Sequence, residues 1–203
     1  YDIGCGLIAV RIKGKDILKK IQDNKQKIYS EVMRTIPMGV GEYQNPKNLS
    51  EKTKQEFKKL IEKFQKGPYD KDILHFLKNT SLKHLGTLGG GNHFIEIGFY
   101  KKEVWLIIHS GSRGIGHRVA KRYMIKASNS KDNFERTFPL DVNSQLGKEY
   151  LNILDFGLEY ALLNRLEISY KVIESLEKVL NEKLTTELWV NKNHNHAIYE
   201  KGY

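Results

Sequence analysis

Phe94-Ile-Glu-Ile-Gly-Phe-Tyr100, then Lys101-Lys102, then Glu103-Val104-Trp-Leu-Ile-Ile-His109 reads as two β-strands joined by a short polar turn. β-branched and aromatic residues dominate both runs, so the stretch predicts a β-hairpin. His93 opens the first strand and His109 closes the second. Antiparallel pairing brings such positions to the same edge of the sheet. Glycine-rich segments flank the hairpin on both sides: Gly86-Thr-Leu-Gly-Gly-Gly-Asn92 before it and Gly111-Ser-Arg-Gly-Ile-Gly116 after it. Glycine tolerates positive φ and lets main chain approach a ligand, so a histidine next to such a segment is readily held on a tight turn facing a site.

Outward from the hairpin, Leu7-Ile-Ala-Val-Arg-Ile12 is a strand candidate, and Lys15 to Thr35 carries helical spacing through Ile17, Leu18, Ile21 and Ile28. Pro37-Met-Gly-Val-Gly41 breaks that pattern. Ser50 is placed to cap a helix running to Gln65, with Phe57, Leu60, Ile61 and Phe64 on one face and Gly67-Pro68 ending it. Asp72 to Asn79 predicts a short helix, and a further helix follows Gly116 to about Ser128. The polar stretch Ser128-Asn-Ser-Lys-Asp-Asn133 is expected to be a mobile loop. Gln145 to Arg165 and Glu167 to Lys183 read as two helices, and Leu188-Trp-Val190 as a last strand leading to Asn193-His-Asn-His196. There are no internal repeats. The expected class is α+β, with mixed or antiparallel sheets carrying metal ligands at their strand edges and helices packed outside.

At 203 residues and 39% hydrophobic content the chain has the material for one core, and a single domain over residues 1–203 is expected. Lysine and arginine number 34 against 24 acidic residues, a formal charge of +10 that favours polyanionic partners such as nucleic acid. Some of that charge, Lys52, Lys54, Lys58, Lys59, Lys63 and Lys66, belongs to a solvated helix face instead. The one cysteine excludes an intramolecular disulfide framework and fits a reducing compartment. With no membrane-length apolar run and no signal-peptide pattern, cytosol or nucleus is the expected location. The chain opens on Tyr1, immediately before a motif, as a fragment of a longer chain would.

Asp2, Cys5, His93, His109 and His194 form a candidate metal-ligand set scattered over the sequence. Asp2-Ile-Gly-Cys5 places a carboxylate and a thiol three residues apart around a glycine, close enough to share a metal; taken alone, the pair equally describes a buried cysteine beside a capping aspartate. The glycine segments match neither of two nucleotide-binding fingerprints. The turn of short-chain dehydrogenases needs three residues between its first two glycines, whereas Gly111 and Gly114 enclose only Ser112 and Arg113. Tyr123 and Lys126 also miss the spacing of that family's catalytic pair, which argues against an NAD(P)-dependent dehydrogenase. Gly86 to Asn92 lacks the Gly-Lys-Ser/Thr ending of a Walker loop, yet its backbone N–H groups can cradle phosphate oxygens. His75, His84 and His196 sit in less distinctive contexts and are assigned no metal.

Taken together, Asp2-Ile-Gly-Cys-Gly6, His84-Leu-Gly-Thr-Leu-Gly-Gly-Gly-Asn-His-Phe-Ile-Glu96, His109-Ser-Gly-Ser-Arg-Gly-Ile-Gly116, Asn164-Arg165 and His194-Asn195 resemble, in order and spacing, the RtcB family of RNA ligases. The resemblance implies an activity: joining RNA 3′-phosphate or 2′,3′-cyclic phosphate ends to 5′-hydroxyl ends, with GTP and Mn²⁺, in tRNA splicing and RNA repair. It implies a two-manganese site in which the Cys5 thiolate bridges both ions. Asp2 and His93 would complete one ion's protein ligands, and His109 and His194 the other's. Asn92 would contact the nucleotide phosphates and Glu96 the guanine edge, and strand alternation would put these two on one face. Arg113 would bind the RNA phosphate through its planar fork. Thiolate and imidazole also suit zinc, which can replace manganese on purification. Some family members use the small activator archease. The family's guanylylated histidine lies in a segment downstream of the fourth ligand, and the sequence to Tyr203 contains no such segment, so a catalytically silent metal- and RNA-binding relative is the alternative. Around His194 the wording is looser than elsewhere, and the preference for His194 over His196 rests on the family's His-Asn pair.

Overall fold

A computed structural model of the chain describes residues 2–128 and 138–197. The hairpin forms as the sequence predicts: β2 (Phe94–Tyr100) pairs antiparallel with β3 (Glu103–Ser110), with Phe94 opposite His109 and Tyr100 opposite Glu103. Lys101 at the turn adopts φ 55°, the left-handed conformation that lets the chain reverse tightly. The other edge of β3 pairs with β1 (Gly6–Lys13), and β1 with β4 (Thr185–Asn193), giving one four-stranded antiparallel sheet in the order β2-β3-β1-β4. Of the two sheet types expected, only the antiparallel one occurs among the described residues. The same finding removes the dehydrogenase reading, because a dinucleotide-binding sheet is built of parallel strands.

Alternation sorts the strands into two unlike faces. Ile8, Val10, Ile12, Val104, Leu106 and Ile108 are buried and pack on α1 (Ile17–Asp23), α2 (Lys25–Thr35) and α7 (Gln145–Leu180). Leu7, Ala9, Arg11, Trp105, Ile107, His109, Phe94 and Glu96 share the opposite face, which no helix among the described residues covers. The helices therefore lie on one side of the sheet rather than around it.

The remaining helices build a second core beside the first. α3 (Glu51–Lys66) starts where predicted, with the Ser50 hydroxyl accepting the Thr53 N–H at 3.2 Å, and buries Phe57, Leu60, Ile61 and Phe64 against α7. α6 (Gly114–Ser128) adds Ile115, Val119 and Tyr123 to the same core.

Three helix boundaries differ from expectation. The predicted Lys15–Thr35 helix is interrupted at Asn24, whose φ of −113° and ψ of 12° separate α1 from α2. The predicted Asp72–Asn79 helix is α4 (Lys71–Phe76), capped by Asp70, running on into a π-helical turn (Leu77–Ser81) and α5 (Leu82–His84). The two helices expected after Gln145 are one helix of 36 residues, α7, with no break at Leu166. The polar stretch expected to form a mobile loop lies, from Asn129 on, outside the described residues. No helix among the described residues is long and apolar enough to cross a membrane.

Candidate metal centre

Four segments at one end of the sheet, three turns and the end of a strand, supply the candidate ligands. Cys5 immediately precedes β1, His93 precedes β2, His109 lies near the end of β3, and His194 follows β4. Register makes this a meeting place: Leu7 and Phe94 both lie opposite His109, and the His194 N–H donates to the Cys5 carbonyl at 2.9 Å. The Asp2–Cys5 turn packs against α7 at Gly4, where φ is +77° and a Cβ would collide with Ala161.

The side chains converge on one sulfur. Cys5 Sγ lies 3.0 Å from His109 Nε2 and 3.8 Å from His93 Nε2. His109 Nε2 lies 3.3 Å from His194 Nε2, and His93 Nε2 lies 4.0 Å from Asp2 Oδ2. Two sets of potential ligands result, Cys5–His109–His194 and Asp2–Cys5–His93, with Cys5 common to both. Each set has ligand atoms within 4.8 Å of one another, as a shared cation requires. These are the two triads that the resemblance implies. Of the two late histidines, His194 lies in this cluster and His196 does not.

The tautomers follow from the second nitrogen of each ring. His93 Nδ1 meets the Leu88 carbonyl at 3.0 Å, and His109 Nδ1 meets the Asn92 carbonyl at 3.0 Å. A carbonyl can only accept, so each Nδ1 carries the proton and each Nε2 presents a lone pair to the cluster, the arrangement that orients metal-bound histidines. Burial lowers the His93 pKa, which keeps that ring neutral and able to ligate. Burial, together with the hydrogen bond and negative charge of Asp2, pushes the Cys5 thiol up to about 12. A free thiol is therefore protonated at neutral pH, and a cation must displace that proton to bind sulfur.

Arg113 stands beside the cluster. It turns the corner between β3 and α6 at φ 60°, a left-handed conformation that costs a non-glycine residue strain of a kind found at functional sites. Its guanidinium packs against Gly89, where φ is +93° and a Cβ would collide with it. Nε donates to Thr87 Oγ1 at 3.1 Å. Burial lowers its pKa, opposed by the charge of Asp2. Glu96 and Asn92 are both exposed, but β2 begins at Phe94, so strand alternation does not reach Asn92 and cannot set the face they share. Asn92 instead offers its backbone carbonyl to His109.

The profile of the RtcB tRNA-splicing ligase family matches residues 1–203. The chain belongs to the RtcB family. Among curated RtcB proteins it is 26% identical to the tRNA-splicing ligase RtcB of Methanococcus maripaludis, with 99% of this chain and 50% of the relative aligned. It is 29% identical to that of Nanoarchaeum equitans, over 99% of this chain and 50% of the relative. Against the RNA-splicing ligase RtcB of Escherichia coli K12 it is 28% identical, over 100% of this chain and 53% of the relative. The chain thus spans about half the length of the RtcB proteins it matches.

Sequence reasoning gave no role to the two residues that hold this RtcB-type cluster together. Asn164 and Arg165 sit mid-way along α7, fully buried. Asn164 Oδ1 accepts the Gly86 N–H at 2.7 Å, while Nδ2 faces Thr87 O at 3.3 Å, Ser110 Oγ at 3.2 Å and Gly111 O at 3.2 Å. Arg165 donates to Gly4 O and Ser110 O, both at 2.9 Å, to Asn191 Oδ1 at 2.8 Å and to Asn193 Oδ1 at 2.7 Å. One dipeptide thereby ties the turns bearing Cys5, His93, His109 and His194 to a single helix. Burial lowers the Arg165 pKa to about 10, and its charge in turn favours an anionic Cys5. The available signal was an amide and a guanidinium inside Ala161-Leu-Leu-Asn-Arg-Leu166, because buried polar groups must be paired.

Proposed function

We propose that this chain forms the metal- and nucleotide-binding part of an RNA ligase that joins RNA 3′-phosphate or 2′,3′-cyclic phosphate ends to 5′-hydroxyl ends with GTP and manganese. The observation that carries the reading is the convergence of three histidine Nε2 atoms and one carboxylate on the Cys5 sulfur, with the Nδ1 atoms of His93 and His109 already committed to carbonyls. The donor set fits two cations: Cys5 with Asp2 and His93 would hold one, and Cys5 with His109 and His194 the other. Bound there, such a pair supplies positive charge against phosphate oxygens and orients attacking and leaving groups. Mixed sulfur and nitrogen ligation also accepts zinc, so purified protein is expected to carry either metal.

The chain's own residues divide the remaining work. Cys5 would serve both cation positions as a thiolate, its proton passing to solvent, while His93, held neutral by burial, would ligate through Nε2. Among the described residues the Arg113 side chain is hydrogen-bonded only through Nε, to Thr87, which leaves its two terminal nitrogens to grip a terminal 3′-phosphate as a fork. Asn92 and Glu96, both exposed beside His93, would take the GTP phosphates and the guanine edge. The partners proposed are broken or spliced tRNA ends and archease, in cytoplasm or nucleus.

Elemental analysis of protein grown in manganese-supplemented medium tests the reading. Wild type should retain manganese or zinc, and Cys5→Ala should lose it; equal metal in both would overturn the assignment. A chain that binds metal but shows no preference for 3′-phosphate RNA would be a silent relative rather than a ligase part.

A further inference from the structure

A groove of about 660 Å³ runs beside the candidate site, between α6 and the segment from α4 to α5. Its lining includes Arg118, Lys121, Arg122 and Lys126, all from one face of α6, and no carboxylate. On the groove's flank Arg122 is paired with Asp70 and Asp72, and Lys126 with Asp70 and Glu149, but Arg118 has no ion pair among the described residues and lies with Cζ 4.3 Å from the centre of the Phe76 ring. At the end nearest Arg113 stand Tyr43, 55% exposed, and His84, with ring centroids 4.7 Å apart. His84 Nδ1 is buried with no hydrogen-bond partner among the described residues. Gly114, next to Arg113, also lines the groove, and His84 is near enough to Arg113 to feel its charge. The guanidinium of Arg113 thus stands between the candidate metal cluster and this groove.

We propose that the groove binds single-stranded RNA, holding the sugar-phosphate backbone of the strand whose 3′ end reaches Arg113, with Tyr43 and His84 against a base. The proposal rests on the RNA-ligase reading for its direction, since the terminal phosphate belongs at Arg113. It rests on the groove's own chemistry for its ligand: cations aligned along a helix face beside an exposed aromatic pair suit a polyanion whose bases stack. A groove this size accommodates nucleotide-sized groups.

The test is fluorescence anisotropy of the 203-residue protein with a labelled single-stranded RNA ten-mer, ending in either a 3′-phosphate or a 3′-hydroxyl, over a range of salt. Tyr43→Ala and Arg118→Ala should each weaken binding about fivefold or more, equally for both ends, and Arg118→Ala should reduce the salt slope by about one. Lys58→Ala, on the exposed face of α3, should leave affinity unchanged. Arg113→Lys should remove only the preference for the phosphate end. If Arg113→Lys has no such effect but the groove variants still bind weakly, the end-reading role fails and the groove stands. Wild-type affinity in both groove variants, an equal loss in Lys58→Ala, no measurable RNA binding at low salt, or competition by polyglutamate as effective as by RNA would overturn the groove proposal. Circular dichroism of Arg118→Gln, which keeps a long polar side chain, separates lost binding from lost folding.

Discussion

The Nδ1 atoms of His93 and His109 decide what their Nε2 atoms can do. With each Nδ1–H spent on a backbone carbonyl, both rings present acceptors toward a sulfur that holds its own proton up to about 12. A cation relieves that arrangement by replacing the proton, so affinity must depend on pH. The sign is set by the raised thiol: between pH 6 and 8 the free Cys5 is protonated, one proton leaves per thiolate formed, and the apparent Kd for Mn²⁺ should fall about tenfold per pH unit. Isothermal titration at pH 6, 7 and 8 checks this, and a pH-independent Kd would mean that sulfur is not a ligand. Arg113 makes a second residue-scale prediction. Lysine keeps the charge but not the fork, so Arg113→Lys should lose about tenfold in preference for a 3′-phosphate end while binding 3′-hydroxyl RNA as before. Equal weakening toward both ends would reduce Arg113 to a general electrostatic contact.

Among the elements, α7 shows best what the sequence disclosed and what it withheld. The sequence reads as two helices, Gln145 to Arg165 and Glu167 to Lys183, whereas the chain forms one. The helix continues because both side chains find full hydrogen-bonding partners in the turns it supports. Those partners lie far away in sequence, so no local pattern could reveal them. Asn164→Ala would leave the Gly86 N–H and several carbonyls unsatisfied in the interior, a loss of about 2–4 kcal/mol by urea denaturation. Asn164→Asp, which replaces the Nδ2 donor by an oxygen facing the same three acceptors, should be at least as damaging; a loss below about 1 kcal/mol in both would refute the scaffold role. The junction of α4 with α6 makes a pH-dependent prediction. Burial would raise the Asp70 carboxyl, but hydrogen bonds from Lys126 and Arg122 outweigh it and hold its pKa down to about 2. Since the folded value lies below the ordinary 3.8, Asp70 stabilises the fold above pH 4 and ceases to as pH falls toward 2. Asp70→Ala should cost about 2 kcal/mol at pH 7, and its stability should converge on that of wild type by about pH 2.

At the scale of the whole molecule, the hairpin and the capped α3 were legible because their signals are local: alternation, a two-residue turn, a serine followed by a helical stripe. The sheet order β2-β3-β1-β4 was not, since it pairs strands about a hundred and more residues apart. The candidate site was legible in its residue types but not in its geometry, for the same reason. Asp2 and Cys5 lie at one end of the chain, His194 near the other, and His93 and His109 between. That dispersal has a thermodynamic consequence. An unfolded chain cannot bring these donors together, so a cation binds the folded state almost exclusively and must stabilise it by mass action. At one hundred times its Kd the ion should add about 2.7 kcal/mol. For a protein of this size each kcal/mol raises Tm by about 2–4 °C, so the shift should be about 5–10 °C. Cys5→Ala interrupts both triads and should abolish it, whereas His196→Ala, outside the cluster, should leave it intact. Differential scanning fluorimetry with Mn²⁺ against Mg²⁺ separates ligation from simple charge neutralisation, because magnesium avoids thiolate and imidazole. A Tm rise of equal size with Mg²⁺, or one retained in Cys5→Ala, would show that the ions act on surface carboxylates and that the five residues do not form a metal centre.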